Sequence, residues 1–193
     1  MSIALSDRGN GVDWTPIGYL DSRATNLFDQ NISDLILGSP FFYQPRKFQY
    51  FICGVGYPKL KRKFVESLLE KNALFIPFLP QKNVGENSII GIVFFMVNVS
   101  IGVDCVIEDF VFIDQRTIVG HNVSIGRYSH IGFSVNIAGN VNIGEEVIIH
   151  SGANIGRGIK IGNAAEIGMG AVVLRDVPDG AIMVGNPARN IKF

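Results

Sequence analysis

The chain has 193 residues, 47% hydrophobic and 18% charged, with 17 Lys and Arg against 17 Asp and Glu. This composition excludes a disordered chain, and zero formal charge excludes a basic nucleic-acid binder and offers no overall field for anionic lipid. The longest apolar stretches, such as 89–97 with its Gly91, fall short of the roughly 18–20 residues a spanning helix needs, so no membrane span is predicted.

Residues 1–14 hold neither a basic leader nor an apolar stretch of signal-peptide length, and Cys53 and Cys105 stand far apart with no CxxC spacing. The expectation is a cytoplasmic protein without a disulfide framework or a thiolate metal site. Residues 17–21 (IGYLD) and 50–55 (YFICGV) predict short buried strands. Residues 58–71 predict a helix opened by Pro58, with Leu60, Phe64 and Leu68 on its apolar stripe. Lys59, Lys61, Arg62 and Lys63 then read as its solvated face. The run CGVGYPK joins strand to helix through a GxG that lacks the third glycine of the dinucleotide fingerprint, so it reads as a structural turn. Together these elements form a small, incomplete α/β segment over residues 1–79.

From Ile101 the chain repeats. Every sixth residue through Val173 is Ile or Val, Gly follows eight of these thirteen positions, and the fifth hexad position is small or β-branched throughout. Neither a helix of period 3.6 nor a simple alternating strand has this period; short strands separated by turns do, with three hexads closing one 18-residue coil. The predicted fold is mainly β, a parallel β-helix of about five coils over residues 80–185, followed by a tail at 186–193. Three inward columns are expected: Ile101, Val119, Ile137, Ile155 and Val173; Ile107, Ile125, Ile143 and Ile161; and Ile113, Ile131, Ile149 and Ile167. Upstream, Val84, Ile90 and Met96 extend the pattern, with a five-residue slip from Met96 to Ile101. No loop interrupts the coils, so substrate contacts must come from coil surfaces, the N-terminal segment or a neighbouring subunit.

The three histidines, His121, His130 and His150, all lie in the repeat. His121 occupies the third hexad position, which points outward, where an imidazole can act as a general base near neutral pH. The hexads, the run VGHNVSIGRYSHIGFSVNIAGNVNIG (119–144) and the ending VLRDVPDGAIMVGNPARNIKF (173–193) resemble the hexapeptide-repeat acyltransferases. More narrowly, they resemble sialic acid O-acetyltransferases and bacterial nucleotide-sugar amine N-acetyltransferases.

That resemblance implies a left-handed coil, a homotrimer, and acetyl-CoA bound between neighbouring prisms as acetyl donor, with no metal. It also implies transfer to an amino group of a sugar or nucleotide sugar. It matches His121 to the catalytic base, His130, Gly139, Ser151 and Met169 to cofactor-lining positions, and Asp21 to a nucleotide-contacting acid. Arg175 and Arg189 fall where related enzymes place basic residues near the phosphates of coenzyme A. Asn122 stands where the family usually has Asp or Glu; it can orient the imidazole without stabilising imidazolium as a charge. Asp114 stands where Asn is commoner, and its carboxylate favours a protonated amine acceptor over a hydroxyl. The family's first strand and glycine-rich loop find no counterpart, and the chain is read as starting beyond them. Two other classes compete with it: a zinc carbonic anhydrase, whose close histidine pair is lacking here, and a non-catalytic trimeric scaffold. Sugar O-acetylation is the alternative within the enzyme class.

Overall fold

The computed structural model describes residues 2–7, 14–22, 36–80 and 83–191. The chain forms two units, Met1–Val55 with Leu60–Pro77, and Gly56–Lys59 with Phe78–Phe193.

In the first unit, strands β1 (Ser2–Asp7), β2 (Trp14–Leu20), β3 (Ile36–Gly38), β4 (Gln49–Cys53) and β5 (Leu74–Phe75) form one sheet in the order β3-β2-β1-β4-β5. β1 is its centre, antiparallel to both neighbours, with Ile3 opposite Tyr19 and Ile52. Residues 8–13, which follow β1, lie outside the described residues, and with them the place of the glycine-rich loop expected to be missing. β4 and β5 are parallel and are joined through helix α1 (Pro58–Leu69), whose first residue is a proline that needs no N–H partner there. The helix stops where Asn72 turns left-handed at φ 61° and the N–H of Ala73 donates to the Leu68 carbonyl at 3.0 Å, a Schellman-type end.

One reading of α1 needs correcting. Its buried stripe is Lys61, Phe64, Val65 and Leu68, the i, i+3, i+4, i+7 set, while Leu60 lies at the solvent side. Lys61 is 0% exposed, so it is not part of a solvated basic face. Burial lowers its amine to about 8, against a smaller opposing pull from Cys53. The Cys53 thiol is pushed up by its own burial.

In the second unit the hexads build a β-helix with three parallel faces. The first runs through Phe94–Phe95, Phe112–Ile113, His130–Ile131, Ile148–Ile149, Glu166–Ile167 and Ile182–Val184. The second runs through Ser100–Ile101, Ile118–Val119, Asn136–Ile137, Asn154–Ile155 and Val172–Val173. The third runs through Ile89–Ile90, Val106–Ile107, Ser124–Ile125, Asn142–Ile143 and Lys160–Ile161. The inward columns pair in the expected register, for example Ile113 with Ile131 and Ile131 with Ile149. Each aliphatic side chain stacked this way contributes about 1.5–3 kcal/mol of burial. The fifth hexad position forms a second inner layer, from Cys105 to Ala171, also buried. Where that position is a hydroxyl it bridges coils: Thr117 Oγ1 donates to the Gly132 carbonyl at 2.8 Å, and Ser129 Oγ to that of Gly144 at 2.9 Å.

The stack is longer than five coils. The first face holds six parallel strands among the described residues, closed by antiparallel Arg189–Asn190, and single bridges at Phe78, Val84 and Val177 extend the pairing. The slip also moves: Phe95, not Met96, is the inward residue and pairs with Ile113, so the short step falls between Ile90 and Phe95. The corner glycines are explained by close approach. A Cβ on Gly102 would lie 2.7 Å from the backbone of Gly120, and one on Gly126 2.6 Å from Gly144. Positive φ belongs instead to the fourth hexad position, as at Asp104, Arg116, Asn122 and Asn140. No helix among the described residues is long and apolar enough to cross a membrane.

Candidate active site

The corner between the second and third faces carries His121. Val119 and Val123 point inward on either side, and between them Asn122 takes the left-handed conformation at φ 54°, which asparagine tolerates better than most side chains. The chain therefore turns with His121 and Asn122 both exposed. His121 Nδ1 lies 2.7 Å from Asn122 Oδ1. An amide oxygen there selects the tautomer with hydrogen on Nδ1, which leaves the Nε2 lone pair to receive a proton.

Eighteen residues on, Gly139 stacks under His121. A Cβ at Gly139 would overlap Nε2, Cδ2 and Cε1 of the imidazole, so only glycine lets the ring lie where it does. Another coil on, Arg157 occupies the same column, and Arg175 follows. Asn140, with its amide oxygen toward Arg157, accepts from Nε at 3.2 Å and Nη2 at 3.3 Å. Arg157 was not among the residues picked out from sequence; counting 36 residues from His121 would have found it. Arg175 and Arg189 meet at a small cavity of about 140 Å³ with Leu174, Met183 and Pro187. The two arginines singled out for phosphate contact thus share one depression.

His130 stands on the first face. It caps a stack of aromatic rings one coil apart: Phe78 on Phe94 at 4.8 Å, Phe94 on Phe112 at 5.1 Å, and Phe112 on His130 at 4.8 Å. A Cβ on Gly56 would come within 3.2 Å of the His130 ring, so that glycine also makes room for it. Ser151 and Met169 lie in one column on the corner between the first and second faces, where the Gly170 N–H donates to the Ser151 carbonyl at 3.0 Å. Beside this corner, His150 Nε2 meets Oε1 of Glu166 on the first face at 2.8 Å, a pair that no motif in the sequence marks. Asp114 shares the corner and accepts the N–H of Gln115 at 2.7 Å.

Within one chain the site residues therefore form separate groups. His121, Asn122, Gly139 and Arg175 line one edge of the second face, and Asp114, Ser151 and Met169 line the other. Asp21, in the first unit, is buried at the end of β2, its N–H donating to the Gly38 carbonyl at 3.0 Å. Among the described residues no group of three or more His, Cys, Asp or Glu side chains is gathered to hold a metal ion.

Residues 104–139, the two coils that contain His121, Asn122 and His130, match the family described as bacterial transferase hexapeptide (six repeats). No curated protein matches the sequence. Among the similar solved structures are PerB and the acetyltransferase domain of PglB. PerB from Caulobacter crescentus, in complex with CoA and GDP-perosamine, is 28% identical with a TM-score of 0.69, covering 72% of this chain and 68% of that one. The acetyltransferase domain of PglB from Neisseria gonorrhoeae is 26% identical with a TM-score of 0.74, covering 90% of this chain and 86% of that one. The hexads stack in register, match that family over two coils and are similar to these structures over most of the chain: the fold is a hexapeptide-repeat β-helix, and the protein is an acetyltransferase.

Proposed function

We propose that this protein transfers an acetyl group from acetyl-CoA directly to an amino group of a nucleotide-linked sugar, with His121 as general base. The observation that carries the reading is the arrangement of His121 between Asn122 and Gly139, which directs Nδ1 to an amide oxygen and leaves Nε2 as the basic atom. As the acceptor nitrogen attacks the thioester carbonyl carbon, the new C–N bond forms, Nε2 takes the proton, and backbone N–H groups stabilise the oxyanion. Collapse of that intermediate breaks the C–S bond, and the proton leaves with the coenzyme A sulfur. No acyl-enzyme is needed. The similarity to PerB, solved with CoA and GDP-perosamine, supports both the donor and a nucleotide-sugar acceptor. Arg175 and Arg189 suit the donor's phosphates by bidentate hydrogen bonding.

The division of the site residues between two edges of the second face favours a homotrimer, because a second copy can bring its Ser151–Met169 corner to the first copy's His121 corner. His130 completes the cofactor-lining set, and Asp21 is the proposed nucleotide contact. Asp114 supports an amine acceptor, since a carboxylate attracts an ammonium group by charge as it binds, before that group releases a proton to solvent and its nitrogen gains the lone pair that attacks, and offers a hydroxyl only a hydrogen bond.

The test is steady-state turnover with acetyl-CoA and paired amino and hydroxy forms of one nucleotide sugar. His121→Ala is expected to lower turnover by about 10²–10⁴-fold while acetyl-CoA binding persists. Asp114→Asn is expected to impair the amine reaction selectively. Unchanged turnover in the His121 variant overturns the mechanism, and preference of the wild type for the hydroxy form overturns the acceptor.

A further inference from the structure

Zero net charge conceals a local bias. Residues 36–65 hold six Lys and Arg and no Asp or Glu; of these, Lys61 is buried and Arg62 pairs with Glu66, while Arg46 and Lys47 stand in the turn before β4. In the first unit this stretch includes a turn before β4 that exposes large apolar rings beside cations: Phe42 is 83% exposed and Phe48 62%, with Arg46 and Lys47 between them in sequence and Leu74 exposed nearby. Phe48 and Leu74 line one hollow with Arg46 and Lys47, and soluble proteins rarely leave a contiguous apolar patch exposed without a partner.

The turn is built to hold this arrangement. Gln49 is buried, and its Oε1 accepts from the Arg46 N–H at 2.8 Å and from the Tyr43 hydroxyl at 3.0 Å, while its own N–H donates to the Arg46 carbonyl at 3.1 Å. Lys71, at the end of α1, donates to the carbonyls of Pro40 and Phe41 and so ties down the segment's other end. Phe48 is fixed at φ 66°, a conformation costly for a bulky side chain, and its ring projects into solvent with Lys47 Nζ 5.1 Å from its centre. A hollow of about 460 Å³ opens here, lined by Arg46, Lys47, Phe48, Tyr50, Lys71 and Leu74. It lies at the amino ends of parallel β4 and β5, whereas Asp21 follows the carboxyl end of β2, which runs the same way, so the two occupy opposite edges of the sheet.

We propose that this turn docks the protein on the surface of an anionic lipid bilayer. Phe42, Phe48 and Leu74 enter the headgroup boundary, Arg46 and Lys47 face the lipid phosphates, and the hollow beside Lys71 receives one headgroup. Exposed rings flanked by Arg46 and Lys47, in a turn that holds no acid of its own, match the apolar and negative character of that interface. Nucleic acid suits the surface less well, because aliphatic Leu74 lies where a stacking platform needs an aromatic ring. Docking uses no residue of the acetyl-transfer site, so vesicle binding and turnover fail independently.

The experiment is co-sedimentation of the full chain with phosphatidylcholine vesicles, with and without 30% phosphatidylglycerol. Binding is expected only to the anionic vesicles and is expected to weaken as salt is raised. Arg46→Glu with Lys47→Glu is expected to reduce it at least about tenfold. Phe42→Ser with Phe48→Asn is expected to weaken it at unchanged salt dependence, with the asparagine accommodating the left-handed turn. Melting curves of both variants verify that the unit is folded. Equal binding to neutral vesicles, no binding at all, indifference to both double substitutions in folded protein, or tighter binding to a single-stranded oligonucleotide each overturns the proposal.

Discussion

The imidazole of His121 lies against the Cα of Gly139 one coil further on, so closely that a methyl group on Gly139 would occupy the space of Nε2. An 18-residue coil places these two positions in one column, and strand pairing holds the coils about 4.8 Å apart. A flat ring fits over a glycine at that spacing, whereas a side chain beneath would push it away from the corner.

Gly139→Ala is therefore expected to displace the His121 ring and lower turnover by at least about 10²-fold, close to the loss from removing the base itself. Gly139 is buried at a corner beneath the exposed His121 ring, and the inward residues of its coil are unchanged, so the melting temperature is expected to shift little. Crystallography or the His121 imidazole NMR signals of the variant check the cause: a ring in its original place with activity lost would assign Gly139 a different role.

Arg175 and Arg189 line the same small cavity. If they share the phosphates of coenzyme A, each single change to alanine weakens acetyl-CoA binding, and the double change costs more than the sum, because each arginine partly compensates for the loss of the other. Calorimetry on the four proteins measures this directly. Independent, additive losses would place the two residues on separate phosphates, and no loss would return both to ordinary surface positions.

Lys61 makes the first unit sensitive to alkaline pH. Its amine titrates near 8 when folded against 10.5 when free. Below pH 8 both states carry the proton and the cost of burying the charge is present in full. Between 8 and 10.5 the folded unit has released the proton while the unfolded chain still binds it, so stability rises across this window by up to about 3 kcal/mol. Cys53 acts in the opposite sense: its thiol is raised above 9.0, so past that pH the unfolded chain ionises first and stability falls. The net gain is thus expected between pH 8 and 9. Urea unfolding at pH 7, 8 and 9 measures it, and Lys61→Met is expected to remove the rise. A rise of equal size in that variant would assign it to another group.

The six-residue period was enough to read the coil, the three inward columns and the outward direction of His121, because each hexad buries its aliphatic residue through local geometry repeated without interruption. Its failures lie at the ends. Near the start of the repeat, Phe95 and Met96 are both apolar and adjacent, so hydrophobicity alone could not say which pointed inward, and pairing with Ile113 decided it.

In the first unit the sequence by itself determined an α/β character and the extent of one helix to within two residues. Only the tertiary structure decided what those elements bury. β1 is central through pairing on both sides, a non-local property with no sequence period. Lys61 looked like one of four solvated cations because charge pattern outweighed position, yet it stands in the same helical stripe as Phe64, Val65 and Leu68. The neutral total charge likewise concealed the cationic stretch at 36–65, since a sum over the chain carries no information about place. Nor could spacing reveal that His121 and Gly139 act on one another, for in sequence they are a base and a distant glycine; stacking of successive coils makes them neighbours.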